Sequence, residues 1–184
     1  MFVFEVSYLA DVVADTLFDT IYHEHLAYHS VKPLRRFFED NAMQLFSVER
    51  VSSHGGSLRG MAGLSDGPHD EDGSVAELIA LEENMGLDRA ETFVDFGKDI
   101  DALGAKLKAL LADIKADGKT IAGFGAPAKA TTLMYHFGIG ADEIDFIVDD
   151  SPLKQGLFSP GAHIPVLTPD ALYDRRPDYV LILA

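Results

Sequence analysis

The spacing of hydrophobic and polar residues changes several times along the chain, and each change predicts a different element. Phe2–Val6 alternates aromatic or branched residues with one acid, which is typical of a strand. A short helix is expected over 7–18. A second helix is expected from Pro33 onward, because the apolar residues after it recur at helical spacing and proline suits the first position. Two further strand-like segments cover 44–52 and 57–65.

The remainder of the chain has a helical middle and an alternating end. Turn formers and acids over 66–74 predict a linker, and apolar residues at helical spacing predict helices over 75–117. After that, apolar strands alternate with helices. The strands are expected at 120–124, 143–150, 163–167 and 178–184, and the helical segments between them at 127–138 and 169–174. Such alternation predicts a parallel sheet covered on both faces.

These elements predict an α/β protein in two pieces, near 1–65 and 118–184, joined by the acidic linker and helices of 66–117. The chain has 184 residues, of which 47% are hydrophobic and 24% charged, as expected for a globular protein with a core. The net charge of −15 argues against unaided binding of nucleic acid.

Two absences in the composition narrow the chemistry. The chain contains no cysteine, which excludes disulfides, cysteine-ligated zinc and thiol catalysis within it. It also has no apolar run near ~18 residues and no signal-peptide pattern, so we expect no membrane partner. A soluble cytoplasmic protein is therefore expected.

A glycine-rich loop lies between the strand ending at Phe124 and the next helix. Gly123-Phe-Gly125-Ala-Pro-Ala has the form G-x-G-x-x-A, in the strand–loop–helix context of dinucleotide-binding loops. The first turn of the helix and Lys129 would form an anion site, and the acids Asp149 and Asp150 follow the next strand. The alternative interpretation is that the glycines only permit close packing of helix against sheet.

The segment Thr20–Ser30 carries three histidines, two tyrosines and one glutamate. In an extended conformation, Tyr22 and Glu24 would point to one side and His23 and His25 to the other. Three interpretations stay open at this point. The histidines could bind a metal ion, or they could only form hydrogen bonds with backbone groups. They could also perform acid/base chemistry, for which an imidazole has a suitable pKa near neutrality.

Four motifs occur in an order that resembles one family. They are FDTIYHEHLAYHS, HGGSLR, GFGAPAKATTL and IDFIVDDSPLKQGLFSPGAHIPV. Together they resemble the C-terminal part of S-adenosylmethionine-dependent sugar C-methyltransferases, which act on nucleotide-linked keto-deoxysugars. This resemblance implies part of a class I methyltransferase sheet within 1–65, and a Rossmann-like parallel-sheet domain over 118–184.

The resemblance also implies roles for individual residues. His25 would be the base that removes the proton next to the ketone, and Glu24 and Tyr22 would be its companions. His54, Ser57 and Arg59 would close over the substrate. The Gly123–Gly125 loop and Lys129 would bind the nucleotide-sugar end. The implied cofactor is S-adenosylmethionine, and the implied partner is a nucleotide-linked sugar.

Parts of that family pattern are missing from this sequence. The chain has neither the cysteine-rich zinc module nor the G-x-G-x-G loop that binds the methyl donor, so we expect a fragment or a shortened reading frame. The strand Phe2–Val6 would then lack a partner on one side, which predicts a homo-oligomer. Two other functions stay open: a non-catalytic nucleotide-sugar or anion-binding module, and a small metal enzyme that uses the histidine cluster.

Overall fold

The structure is a computed structural model that describes residues 1–183. Its elements follow the predicted alternation. The strands are β1 (Phe2–Ser7), β2 (Met43–Val51), β3 (Ser57–Leu64), β4 (Ile121–Phe124), β5 (Phe146–Val148), β6 (Val166–Leu167) and β7 (Tyr179–Ile182). The helices are α1 (Leu9–Ala14), α2 (Val31–Asp40), α3 (Ser74–Met85), α4 (Ala90–Ala116), α5 (Ala128–Phe137) and α6 (Ala171–Arg175). The described part of the chain has no helix long and apolar enough to cross a membrane.

The described residues divide into two compact units. The first comprises Met1–Leu17 and Glu24–Asp99, and the second comprises Phe18–His23 and the chain from Ile100 onward. This division differs from the three segments expected from the sequence. It differs because α3 packs with the first sheet, whereas the C-terminal part of α4 contributes Leu111 to the core of the second unit.

The first unit contains a three-stranded sheet with the order β1-β3-β2, in which both pairings are antiparallel. The turn at 52–56 lets β2 fold back on β3, so that these two strands form a hairpin. Helices α2 and α3 pack on β2. The apolar residues that face inward form one core. Its largest fully buried side chains are Tyr8, Leu45, Leu58, Val31 and Val75.

The second unit contains the parallel sheet that the alternation predicted. Its strand order is β6-β5-β4-β7, and all three pairings are parallel. The strands are almost wholly apolar, as expected where both faces are covered. The core is built mainly of isoleucines, and Ile121, Ile144, Ile147 and Ile164 are each at most 1% exposed. The mixed α/β class and the parallel sheet are thus confirmed, and the sheet is consistent with a Rossmann-like fold.

Several element boundaries differ from the predicted ones for local reasons. Helix α1 ends at Ala14, and Thr16 two residues later has a positive φ of 51° that stops the helix. Helix α2 begins two residues before Pro33, which is tolerated there because the first helical turn does not use its N–H groups. The helical stretch of 75–117 is two helices, because Gly86 ends α3 in the left-handed conformation, with φ 70°.

Candidate functional site

The histidine-rich segment is a turn, and this corrects the extended conformation assumed from the sequence. A short 3₁₀ turn covers Phe18–Thr20, and His23 and Glu24 form a further turn. The alternation of side chains expected for a strand therefore does not apply. The division between the two units also falls inside the motif, because Tyr22 belongs to the second unit whereas Glu24 and His25 belong to the first.

The candidate acid/base groups differ in their exposure to solvent. Tyr22 and His25 are partly buried, whereas His23 and Glu24 are exposed. The ring of Tyr22 meets the ring of His23 edge-on, with centroids 5.8 Å apart. The ring of His25 lies 6.4 Å from the ring of Tyr28. A partly buried imidazole retains access to a substrate proton, which a fully buried one would lack.

The start of the segment is anchored on helix α5. The Phe18 side chain is 9% exposed, and its ring centroid lies 4.9 Å from His136 and 5.4 Å from Phe137. The Asp19 carboxylate accepts a hydrogen bond of 2.8 Å from the Lys129 ammonium group, near the start of the same helix. Phe18 therefore holds the start of the segment against the C-terminal end of α5, and Asp19 holds it at the N-terminal end.

The end of the segment is anchored by the buried carboxylate of Glu82, which is 3% exposed. It accepts hydrogen bonds from the Tyr8 hydroxyl (3.0 Å), the Val31 N–H (2.5 Å) and the Lys32 N–H (3.1 Å). Burial, with the charge and hydrogen bond of Glu82, raises the pKa of Tyr8. Glu82 therefore accepts hydrogen bonds from the free N–H groups in the first turn of α2, because the side chain of the N-cap residue Ser30 accepts none of them.

The histidines do not form a metal site among the described residues. Within residues 1–183, no group of three His, Asp or Glu side chains could hold a metal ion. His23 and His29 thus lack the arrangement that the metal interpretation requires.

The motif His54-Gly55-Gly56-Ser57-Leu58-Arg59 forms the turn into β3. His54 has a φ of 51°, in the left-handed region, and its side chain is exposed. The Ser57 hydroxyl donates to the Ser53 carbonyl at 3.1 Å. The Arg59 guanidinium group donates to Glu5 at 3.1 Å. The substrate-binding roles of these residues stay predictions, and a ligand would have to compete with these partners at Ser57 and Arg59.

A left-handed backbone conformation distinguishes His54 from Ser57 and Arg59, the other two predicted substrate ligands of that motif. Left-handed conformations are uncommon outside glycine, although histidine is enriched among the exceptions. Strained exposed residues are concentrated at functional sites. Of the three predicted substrate ligands in this motif, only His54 has a left-handed backbone, and its binding role stays a prediction.

The glycine loop connects β4 to α5 as predicted. Its two glycines are required for different structural reasons. A side chain at Gly123 would place its Cβ 2.8 Å from Leu183 and 3.0 Å from Ile147, so this position requires close packing. Gly125 has a φ of 90°, which favours glycine. The packing interpretation thus accounts for Gly123, and the tight turn accounts for Gly125.

The N–H groups of the loop are partly occupied. The Gly125 N–H donates to the Val148 carbonyl at 2.7 Å, and the Ala126 N–H donates to the Asp149 carboxylate at 2.7 Å. Asp149 also accepts from Lys154 at 2.9 Å. Burial opposes ionisation of Asp149, but hydrogen bonds from Ala126, Lys154 and Ser151 outweigh it and lower its pKa. Asp149 therefore acts as an internal anion for this loop.

An apolar pocket of about 220 Å³ lies beside the glycine loop, within the second unit. Its lining includes Pro127, Thr131, Lys154, Phe158 and Ser159. Ligand pockets for drug-sized molecules usually span roughly 300–1,000 Å³. This pocket is therefore suited to one ring of a ligand, with a cationic and two hydroxyl groups at its wall.

Neither anchor of the histidine-rich segment was predicted from the sequence. Glu82 had a detectable signal, because it lies seven residues after Val75 and three before Met85, on the apolar face of α3. An acid at such a position must find hydrogen-bond donors. Asp19 had no comparable signal, since its partner Lys129 lies 110 residues away in the sequence.

Comparison with known proteins agrees with the motif order found in the sequence. Residues 52–184 match the family described as the C-methyltransferase C-terminal domain. The whole chain is 36% identical, over 184 residues, to the C-methyltransferase NovU of Streptomyces niveus, and it spans 44% of the length of that protein. The resemblance to C-methyltransferases is thereby confirmed, and the chain belongs to the family of C-methyltransferase C-terminal domains.

Proposed function

We propose that this chain is part of an S-adenosylmethionine-dependent C-methyltransferase that acts on a nucleotide-linked keto-deoxysugar. The observation that carries the proposal is the family match over 52–184, together with the Tyr-His-Glu-His sequence of 22–25. C-methylation of a sugar needs a carbon nucleophile. A ketone provides one, because it acidifies the C–H bond on the adjacent carbon.

In this proposal, His25 takes the proton from that carbon. The C–H bond breaks, its electron pair becomes the enolate, and the proton moves to the imidazole ring. Glu24 orients the ring and stabilises the imidazolium ion, and the Tyr22 hydroxyl donates a hydrogen bond to the developing enolate oxygen. The partly buried positions of Tyr22 and His25 support these roles.

S-adenosylmethionine would supply the methyl group, but the residues of this chain do not fit a site for it. The loop after β4 directs its Gly125 and Ala126 N–H groups to Val148 and Asp149. In the first unit, the pairings of β1, β2 and β3 are antiparallel, and none of these strands is followed by a G-x-G-x-G loop. We therefore place the donor in a part of such an enzyme that this chain does not span, and we derive only the proton transfer.

The nucleotide end of the substrate is proposed to bind in the second unit, at the start of α5. The free end of a helix attracts anions, and the pocket beside it offers an apolar wall for a ring. Gly125, Pro127 and Phe158 would line this subsite. The diphosphate would meet the first turn of α5 beyond Ala126, since the preceding N–H groups already have acceptors.

The antiparallel sheet of the first unit is proposed to be the end of a larger class I methyltransferase sheet. Strand β1 pairs with β3 on one side. Its residues Phe2 and Val3 are 51% and 49% exposed, which is unusual for apolar residues of a strand. A further strand on that side would cover them.

The proposal is tested by replacing the base in a complete enzyme that carries this sequence. His25→Ala is expected to lower kcat by about 10²–10⁴-fold, with a much smaller change in substrate binding. It should also abolish exchange of the proton next to the ketone with solvent deuterium. Glu24→Gln should lower kcat less, because it orients the base and transfers no proton.

His69→Ala is the matched control, since His69 is an exposed histidine in the linker between β3 and α3. It should leave both turnover and exchange unchanged. Retention of turnover and of proton exchange in His25→Ala would contradict the assignment of the base.

A further inference from the structure

Lys129 occupies the position of a ligand for the substrate's diphosphate, yet its ammonium group is bound to a residue of the chain itself. The Nζ atom lies 2.8 Å from the Oδ2 atom of Asp19, and the two side chains are 34% and 42% exposed. Both residues belong to the second unit. The interaction joins the second residue of α5 to the turn Phe18–Thr20, which ends two residues before Tyr22.

Phe18 gives the same turn a second attachment to α5. Its ring packs against His136 and Phe137, which lie seven and eight residues after Lys129 and thus two helical turns along α5. Phe18 fixes the turn by burial, whereas Asp19 fixes it by charge. The ion pair attaches the turn to α5 at a second point, two helical turns away from the ring contact.

Backbone hydrogen bonds connect the anchored turn to Tyr22. The Ile21 N–H donates to the Phe18 carbonyl at 3.0 Å, and the Tyr22 N–H donates to the Thr20 carbonyl at 3.2 Å. The backbone of Tyr22 is therefore held relative to Asp19 by two consecutive turns. Because α5 starts at the glycine loop, the same helix positions both the loop and Tyr22.

We propose that Lys129 is a positioning residue, which holds Tyr22 on helix α5 through Asp19, and that it is not the ligand of the diphosphate. This inference rests on the proposed function, because it assigns Tyr22 a role in the reaction. An ion pair that is only partly buried contributes little to global stability. Its loss should therefore disturb the placement of Tyr22 without unfolding the second unit.

The first test uses the chain itself, with Lys129→Met, Asp19→Asn and the exchanged pair Asp19→Lys/Lys129→Asp. Hydrogen exchange of the amides of 18–22 is expected to rise by up to about fivefold in both single variants and to return toward the wild-type rate in the exchanged pair. Lys119→Met is the matched control, since Lys119 pairs with Asp178 at 3.1 Å in the same unit. It should leave exchange of 18–22 unchanged.

The second measurement is the affinity for inorganic pyrophosphate, followed by calorimetry on the same variants. If Lys129 positions Tyr22, Lys129→Met should change the affinity by less than about threefold. A loss of about tenfold or more in Lys129→Met, with unchanged exchange of 18–22, would overturn the proposal. If wild-type protein fails to bind pyrophosphate, the proposed diphosphate subsite fails, while the exchange data still decide whether Lys129 positions Tyr22.

The third measurement connects the ion pair to turnover in a complete enzyme that carries this sequence. Lys129→Met and Asp19→Asn should lower kcat by similar factors of about ten, with KM nearly unchanged. In a Tyr22→Phe background, Lys129→Met should cause no further loss, because it acts through Tyr22. Independent, multiplicative losses would contradict the positioning role.

Discussion

Glu82 shows how one buried carboxylate can hold together two distant segments of the chain. Three donors from two distant segments converge on it, from Tyr8, Val31 and Lys32. A buried charge is tolerated only when it is hydrogen-bonded, and here the bonds replace the missing cap of α2. The same residue therefore stabilises α2 and fixes where the histidine-rich segment ends.

Glu82→Ala is expected to lower the free energy of unfolding by about 2–4 kcal/mol, because it removes a helix cap and leaves buried donors without an acceptor. Glu83→Ala is the control. Glu83 pairs with Lys32 at 2.7 Å, but its side chain is 51% exposed, so its loss should cost at most ~1 kcal/mol. Urea unfolding followed by circular dichroism measures both. Equal effects of the two substitutions would contradict the role assigned to Glu82.

Asp149 gives the glycine loop a stability that depends on pH. Its pKa is lowered in the folded protein, so its contribution is fully present above the ordinary value of 3.8 and is lost as pH falls through the lowered pKa. Asp149→Asn should therefore reduce the free energy of unfolding most near neutral pH, and the difference from wild type should shrink below pH ~4.

The measurement for Asp149 is a series of urea unfolding curves between neutral and acidic pH. Asp150→Asn serves as the control, because Asp150 is the exposed neighbour. A difference between wild type and Asp149→Asn that stayed constant across the pH range would show that the carboxylate charge is not what stabilises the loop.

Helix α4 contains two glycines with opposite surroundings, which makes its packing on α5 testable at the level of the element. A Cβ atom at Gly104 would lie 2.3 Å from the Phe137 ring, whereas nothing lies within 4 Å of a Cβ at Gly97. Gly104 therefore permits the close approach of α4 to α5 in the second unit. No neighbouring side chain requires a glycine at position 97, so Gly97 only lowers the helix propensity of α4.

Gly97→Ala is expected to raise the free energy of unfolding by about 0.5–1 kcal/mol, through helix propensity alone. Gly104→Ala should lower it by about 1–3 kcal/mol, because the ring of Phe137 must move. Thermal unfolding of the two variants provides the comparison. A stabilised Gly104→Ala variant would mean that α5 moves away from α4 at little cost.

Elements with a strong local signal were predictable from the sequence, whereas long-range contacts were not. The parallel strands of the second unit followed from continuous apolar runs, and the glycine loop followed from its strand–loop–helix context. The turn at His23 and Glu24 did not, because the contacts on either side of it, made by Asp19 and Glu82, join residues that are far apart in the sequence. The partners of those anchors lie 110 and about 50 residues away, where no periodic pattern connects them.

At the scale of the whole molecule, the chain exposes apolar residues on two edge strands. In the first unit, β1 exposes Phe2 and Val3, and in the second, β7 exposes Val180 and Ile182. Exposed edges favour pairing with another chain. The acidic region 66–117, with 14 acids and five bases, disfavours pairing through the helices, because like charges would face each other.

We expect the isolated chain to form a homodimer through β1. This strand has six residues and a stacked aromatic contact between Phe2 and Phe4, with centroids 5.7 Å apart, whereas β7 has four residues. Light scattering at micromolar concentration measures the state of the wild-type chain. Val3→Lys should yield a monomer, because a lysine on an edge strand disfavours its pairing with another chain. Val180→Lys, at a strand position of similar exposure, should leave the dimer intact. A wild-type monomer, or dissociation caused by Val180→Lys alone, would show that β1 is not the associating edge.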